Sequence, residues 1–142
     1  MRAGGVKGQK NWKKWGESLV SQKKCVPLQR QNIRNIMSTR EKEVLRRIRE
    51  VAHQSVPQGG RALLYGSRAR GDAHPGSDWD VLILLDKERL APDDYDNVSF
   101  PFVNLGWDIN EEINPIMYTK DEWRQYYFTP FYENVEHDGI PL

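Results

Sequence analysis

LLYGSRARGDAHPGSDWDVLILLD, residues 63–86, decides how this chain folds. Leu63, Leu64 and Tyr65 form a short apolar run that stops at Gly66-Ser67. After ten intervening residues Asp78-Trp79-Asp80 opens a second apolar run, residues 81–85. The pattern is strand, glycine turn, polar connector, strand. Strand side chains alternate faces, so Asp78 and Asp80 point one way and Trp79 the other. Two carboxylates side by side at the mouth of a buried strand repel each other and lose hydration. A divalent cation between them removes both problems, and hard oxygen ligands suit Mg²⁺ or Mn²⁺. Gly66 allows a close backbone approach, and a helical turn beginning at Arg68 presents free N–H groups and the Ser67 hydroxyl to a phosphate.

Working outward, Ser38-Thr39-Arg40-Glu41 is a capping box. Val44, Leu45, Ile48, Val51 and Ala52 follow at helical spacing, which predicts a helix to about Ser55 that ends before Pro57. The first strand is expected over residues 62–65. The second, over residues 79–85, is apolar on both faces beyond its acids, as a central strand covered on both sides would be. Residues 86–94 are charged and contain Pro92, so a loop is expected there. Tyr95, Val98, Phe102 and Leu105 predict a helix over residues 94–106, kinked or interrupted at Pro101. Residues 112–118 alternate like a strand, and Pro115 points to an edge position or a local break in the ladder. A second capping box, Thr119 to Glu122, opens a short helix containing Trp123. Thr129-Pro130 starts another, with Phe131, Tyr132 and Val135 inward and Gly139 closing it.

At 142 residues the chain suits a single modest core, and 38% hydrophobic with 29% charged content fits a water-soluble globular protein. One cysteine, Cys25, rules out an internal disulfide and fits a reducing, cytoplasmic setting. No apolar run approaches the length of a membrane span, and the basic N-terminus lacks the apolar core of a secretory signal. The net charge of +1 hides an asymmetry: residues 1–37 hold nine Lys or Arg against one acid, and residues 38–142 hold twelve against nineteen. Residues 1–37 are read as a basic, disordered extension, or as dispensable sequence ahead of a start at Met37, and residues 38–142 as the folded domain. An acidic domain makes nucleic acid a poor substrate. Among other signals, Arg70-Gly71-Asp72 belongs to the glycine turn, the histidines lack metal-cluster spacing, and neither a P-loop nor a G-x-G-x-x-G fingerprint is present.

The combination of Gly66-Ser67, ten residues and Asp78-x-Asp80, set within GSRARG (residues 66–71) and SDWD (residues 77–80), resembles the nucleotidyltransferases of the DNA-polymerase-beta type. Its small "minimal" branch is the nearest in pattern. The resemblance covers roughly residues 38–142. It implies an α/β (α+β) polymerase-beta-like fold: a small mixed sheet with helices packed mainly on one face. It further implies metal-dependent transfer of a nucleoside monophosphate, AMP from ATP, to a hydroxyl acceptor. Members of that branch are often encoded with a helical HEPN-type toxin, which they adenylylate as its antitoxin, so such a toxin is an expected partner. By the same resemblance Asp78 and Asp80 bind metal and Gly66 and Ser67 bind the triphosphate. Arg68 and Arg70 are expected either to add charge-assisted contacts to the leaving pyrophosphate or to form a solvated helix face, and Ser77 either to bind the nucleotide or to cap the turn into the strand. The family's third carboxylate lies on the next strand, where this chain has Asn114. Glu112, two residues earlier and of the same parity, is the expected substitute, acting as catalytic and metal-binding residue, with Asn114 as the alternative metal ligand through its amide carbonyl. A site with only two acids that binds nucleotide without turnover, and an enzyme acting on a small hydroxylated molecule, are the alternatives.

Overall fold

The computed structural model describes residue 33 and residues 35–142, and Ile36–Leu142 forms one compact unit. The expected basic extension falls almost wholly outside the described residues. No helix among the described residues is long and apolar enough to cross a membrane.

Helix α1 (Thr39–Ser55) begins where the capping box requires. Ser38 Oγ accepts from the Glu41 N–H at 3.2 Å, and the Glu41 carboxylate accepts from the Ser38 N–H at 2.7 Å. Two otherwise orphaned donors are thereby satisfied, and the periodic residues Val44, Leu45, Ile48 and Ala52 are turned inward. The helix stops at Val56, in extended conformation ahead of Pro57. Strand β1 (Arg61–Tyr65) follows, then a single helical turn α2 (Ser67–Arg70), then strand β2 (Trp79–Leu85).

The segment after β2 departs from expectation in two ways. Helical structure starts at Pro92 rather than Asp94, as α3 (Pro92–Asp94). At the first helical position proline loses no hydrogen bond, and the Asp94 carboxylate accepts from the Ala91 N–H at 2.7 Å. Nor does Pro101 break the helix. A π-helical turn (Tyr95–Ser99) precedes it and runs directly into α4 (Phe100–Ile109). Pro101 cannot donate to the carbonyl four residues back and its ring crowds that carbonyl, so the ladder widens just before it: the Phe100 N–H reaches back to the Tyr95 carbonyl. The helix ends at Asn110, which takes the left-handed conformation (φ 55°).

Strand β3 (Ile113–Thr119), helices α5 (Lys120–Gln125) and α6 (Pro130–Asp138), and strand β4 (Ile140–Pro141) complete the chain. The described sheet runs β3-β2-β1-β4. β1 is antiparallel to both β2 and β4, and β2 is parallel to β3 across the α3–α4 crossover. β3 is therefore an edge, and Pro115 is tolerated there as expected. β4 was not anticipated; two residues suffice because Gly139 closes α6 and turns the chain onto β1.

β2 is buried on both faces from Val81 to Leu85. Leu82 and Leu84, with Leu63 from β1, form a cluster with Trp123 of α5 and Tyr132 and Val135 of α6. The other face holds Leu64, Val81, Ile83 and Leu85, all fully buried. The long helices α1 and α4, which pack on each other, carry the matching apolar faces. The sheet is the mixed one expected, with the longer helices on one face and a short C-terminal pair covering part of the other.

Candidate active site

Register places the two aspartates. Asp80 lies opposite Tyr65 of β1 and beside Asn114 of β3, so Asn114, Asp80 and Tyr65 form one row across three strands on one face. Asp78 sits two residues earlier on the same face, where Asn114 Nδ2 donates to its Oδ2 at 3.2 Å. Neither aspartate takes part in an ion pair among the described residues. Burial and then the charge of Asp78 push the Asp80 carboxyl above the ordinary aspartate range, against smaller opposing effects of Asn114 and Arg70. The pair is thus crowded and partly dried, and Arg70 offsets its mutual repulsion only in part. That donor set of carboxylate oxygens with an amide alongside fits a hard divalent cation.

Gly66 is held at φ 74° and ψ −157°, a conformation essentially restricted to glycine. A Cβ at this position would lie 2.5 Å from Asp80 Oδ2. The glycine turn is therefore pressed directly against the acid pair. Ser67 opens α2, and the Gly66 carbonyl accepts from Ala69 and Arg70, which leaves the Ser67 and Arg68 N–H groups without an acceptor inside the turn. Arg70 is exposed, contacts Asp72 at 3.2 Å, and is close enough to Asp80 to lower its proton affinity.

Arg68, Ser77 and Glu112 are each engaged with the protein itself. Arg68 is only 6% exposed. Its Nε and Nη2 donate to the Ser77 carbonyl at 3.2 and 2.9 Å, its Nη1 pairs with Glu41, and its guanidinium lies 4.7 Å from the Trp79 ring centroid. All of its nitrogens face inward, so it stands beneath the turn. Ser77 closes the connector: its Oγ accepts from the His74 N–H at 3.0 Å. Glu112 precedes the first paired residue of β3, its backbone carbonyl accepts from the Trp79 N–H at 2.8 Å, and its side chain is exposed. Among the described residues no three His, Cys, Asp or Glu side chains gather as a metal-holding group. The residue that joins the aspartates is Asn114. Glu111 is occupied with the Trp79 indole N–H at 3.1 Å and with Arg40.

Tyr65 borders the site and was not anticipated. Burial and the Asp80 charge push its phenol up to about 12. Its ring meets Phe131 edge-on at 5.7 Å, the start of an aromatic cluster continuing through Trp123, Tyr126 and Tyr118. The available signal was its position, the last strand residue before the glycine turn, which a hairpin-like register sets opposite the second aspartate.

A family model described as a nucleotidyltransferase domain matches residues 45–137. A segment of 66 residues is 38% identical to the bifunctional uridylyltransferase/uridylyl-removing enzyme of Pseudomonas entomophila (strain L48). That segment is 46% of this chain and 7% of that enzyme, so the two share one short region.

Proposed function

Because the chain belongs to the nucleotidyltransferase-domain family, we propose that it transfers a nucleoside monophosphate, AMP from ATP, to a hydroxyl acceptor in a divalent-metal-dependent reaction. The observation that carries this reading is the Asp78–Asp80 pair, which makes no ion pair among the described residues, with Gly66 packed against Asp80 and Asn114 alongside. In the reaction the acceptor hydroxyl gives up its proton to solvent as its oxygen forms a bond to the α-phosphorus, the bond from the α-phosphorus to the bridging oxygen breaks, and pyrophosphate leaves with that oxygen. Mg²⁺ or Mn²⁺ at such a site lowers the pKa of the attacking hydroxyl and offsets charge on the phosphates. Asp78 and Asp80 would hold it, with Asn114 contributing an amide oxygen. The Ser67 hydroxyl and Arg70 guanidinium would meet the phosphates. Gly66 leaves room for that approach, and Tyr65 walls off the β1 side.

A cytoplasmic HEPN-type helical toxin is the proposed acceptor, in keeping with the minimal branch the motif resembles. The relative's name includes uridylyl transfer, so UTP is the donor to compare with ATP. A second reading, nucleotide binding without turnover, is favoured by one observation: Asn114, which cannot take a proton from the acceptor, stands where the resemblance requires a carboxylate.

The test is incubation with α-labelled ATP or UTP and Mg²⁺, with and without a co-encoded helical protein. Label on that protein supports the proposal. Label on a small hydroxylated molecule reassigns the acceptor, and tight binding without transfer supports the second reading. No binding of either nucleotide overturns both.

A further inference from the structure

We propose that Arg68 is a positioning residue, a buried guanidinium clamp that fixes the Gly66–Ser67 turn to the strand carrying Asp78 and Asp80 and makes no contact with the nucleotide. This rests on the reading of that site as a nucleotide site.

The two halves of the site come from separate segments. Gly66 and Ser67 follow β1, whereas Asp78 and Asp80 flank the first residue of β2, and the largely exposed connector of residues 71–76 joins them. The β1–β2 ladder pairs Tyr65 with Asp80, but beyond that last pair the connector, with Gly71 and Gly76 both at positive φ and Pro75 between them, carries the chain away from the strands. Arg68 adds a tie there. From the turn it reaches across to the carbonyl of Ser77, the residue just before Asp78, with two N–H groups. Its planar face lies on Trp79, the residue between the two aspartates. Trp79 is fully buried and donates its indole N–H to Glu111. The remaining Arg68 nitrogen pairs with Glu41, the acid that also caps α1. One guanidinium thus ties the turn to the metal strand on one side and to the start of a long helix on the other. Backbone carbonyl, ring face and carboxylate together use its forked donors and its flat π surface. Lysine, a point charge on a flexible stem, satisfies only the ion pair.

The placement also divides labour within the Ser67-Arg68-Ala69-Arg70 turn. Arg70 is exposed and lies near Asp80, so it is the arginine available to phosphate, whereas Arg68 stays inside.

Arg68→Lys and Arg70→Gln, made in the full chain, separate these roles. Hydrogen exchange of the nucleotide-free protein is the first readout. With Arg68→Lys, exchange over residues 66–80 is expected to rise at least about tenfold while α5 and α6 exchange as in wild type; Arg70→Gln leaves the region unchanged. Calorimetry with Mg·ATP is the second: Arg70→Gln weakens binding about tenfold or more and Arg68→Lys less than about threefold. Where transfer is measurable, Arg68→Lys lowers kcat and leaves KM nearly constant. If Arg68→Lys leaves exchange over residues 66–80 unchanged, or weakens Mg·ATP binding as much as Arg70→Gln, the proposal is overturned. Should wild type bind no nucleotide, the functional reading fails, and the exchange experiment still decides whether Arg68 is the clamp.

Discussion

Replacing Gly66 by alanine probes the closest approach in the site. Two costs add. The backbone at φ 74°, ψ −157° is a glycine-only region, and forcing an L-residue there costs about 1–3 kcal/mol. The new methyl would also sit 2.5 Å from Asp80 Oδ2, so turn or carboxylate must move by about 1 Å to reach ordinary contact. Overpacking of that kind costs about 1–3 kcal/mol. The total is about 2–6 kcal/mol, and at roughly 4 °C per kcal/mol for a domain of this size it lowers Tm by roughly 8–24 °C. Gly76→Ala is the control. Gly76 also has a positive φ (85°), but nothing lies within 4 Å of its Cβ position, so only strain of about 1–2 kcal/mol applies. Thermal and urea unfolding of both variants isolate the contact with Asp80, and calorimetry with Mn·ATP should show binding weakened for Gly66→Ala alone. If Gly66→Ala is no less stable than Gly76→Ala and binds metal–nucleotide normally, the inferred contact between turn and acid pair is wrong.

Other consequences follow from the same geometry. Because the folded-state pKa of Asp80 is raised by burial and by Asp78, its contribution favours folding below the unfolded value and is lost as pH rises through the folded value. Asp80→Asn should therefore raise the Tm of the metal-free protein at pH 7, by a margin that shrinks as pH falls toward 4. Asn114→Asp should do the reverse, lowering metal-free stability while tightening Mn²⁺ binding by roughly tenfold or more, about 1.4 kcal/mol, as read by titration. Trp123→Ala removes the centre of the aromatic cluster and should cost about 3–5 kcal/mol in urea unfolding.

Much of this was legible in the sequence because local chemistry determined it. Ser38 and Glu41 fix the start of α1 through each other. Strand alternation puts Asp78 and Asp80 on one face, and Pro115 marks an edge or a break in the ladder whatever else surrounds it. What was hidden depends on partners distant in the chain. Arg68 and Arg70 look alike two residues apart, and only the burial of Trp79 and the nearness of Glu41 draw one of them inside. Glu112 shares the parity of Asn114, but the parallel register sets Asn114 beside Asp80 and leaves Glu112 ahead of the strand. The two-residue β4 carries too little sequence for any periodicity. The early helix start at Pro92 followed from reading proline as a breaker where it serves as a first helical residue, and the π turn before Pro101 is a backbone adjustment that no side-chain pattern records.

Titration of Mn·ATP and Mg·ATP into the wild-type protein and into the Asp78→Asn/Asp80→Asn double variant tests the central claim most directly. The expected result is saturable binding by wild type that the double variant loses although it remains folded and no less stable without metal. Equal binding by the two proteins, or none by wild type, would contradict the assignment of this acid pair as a cation–nucleotide site.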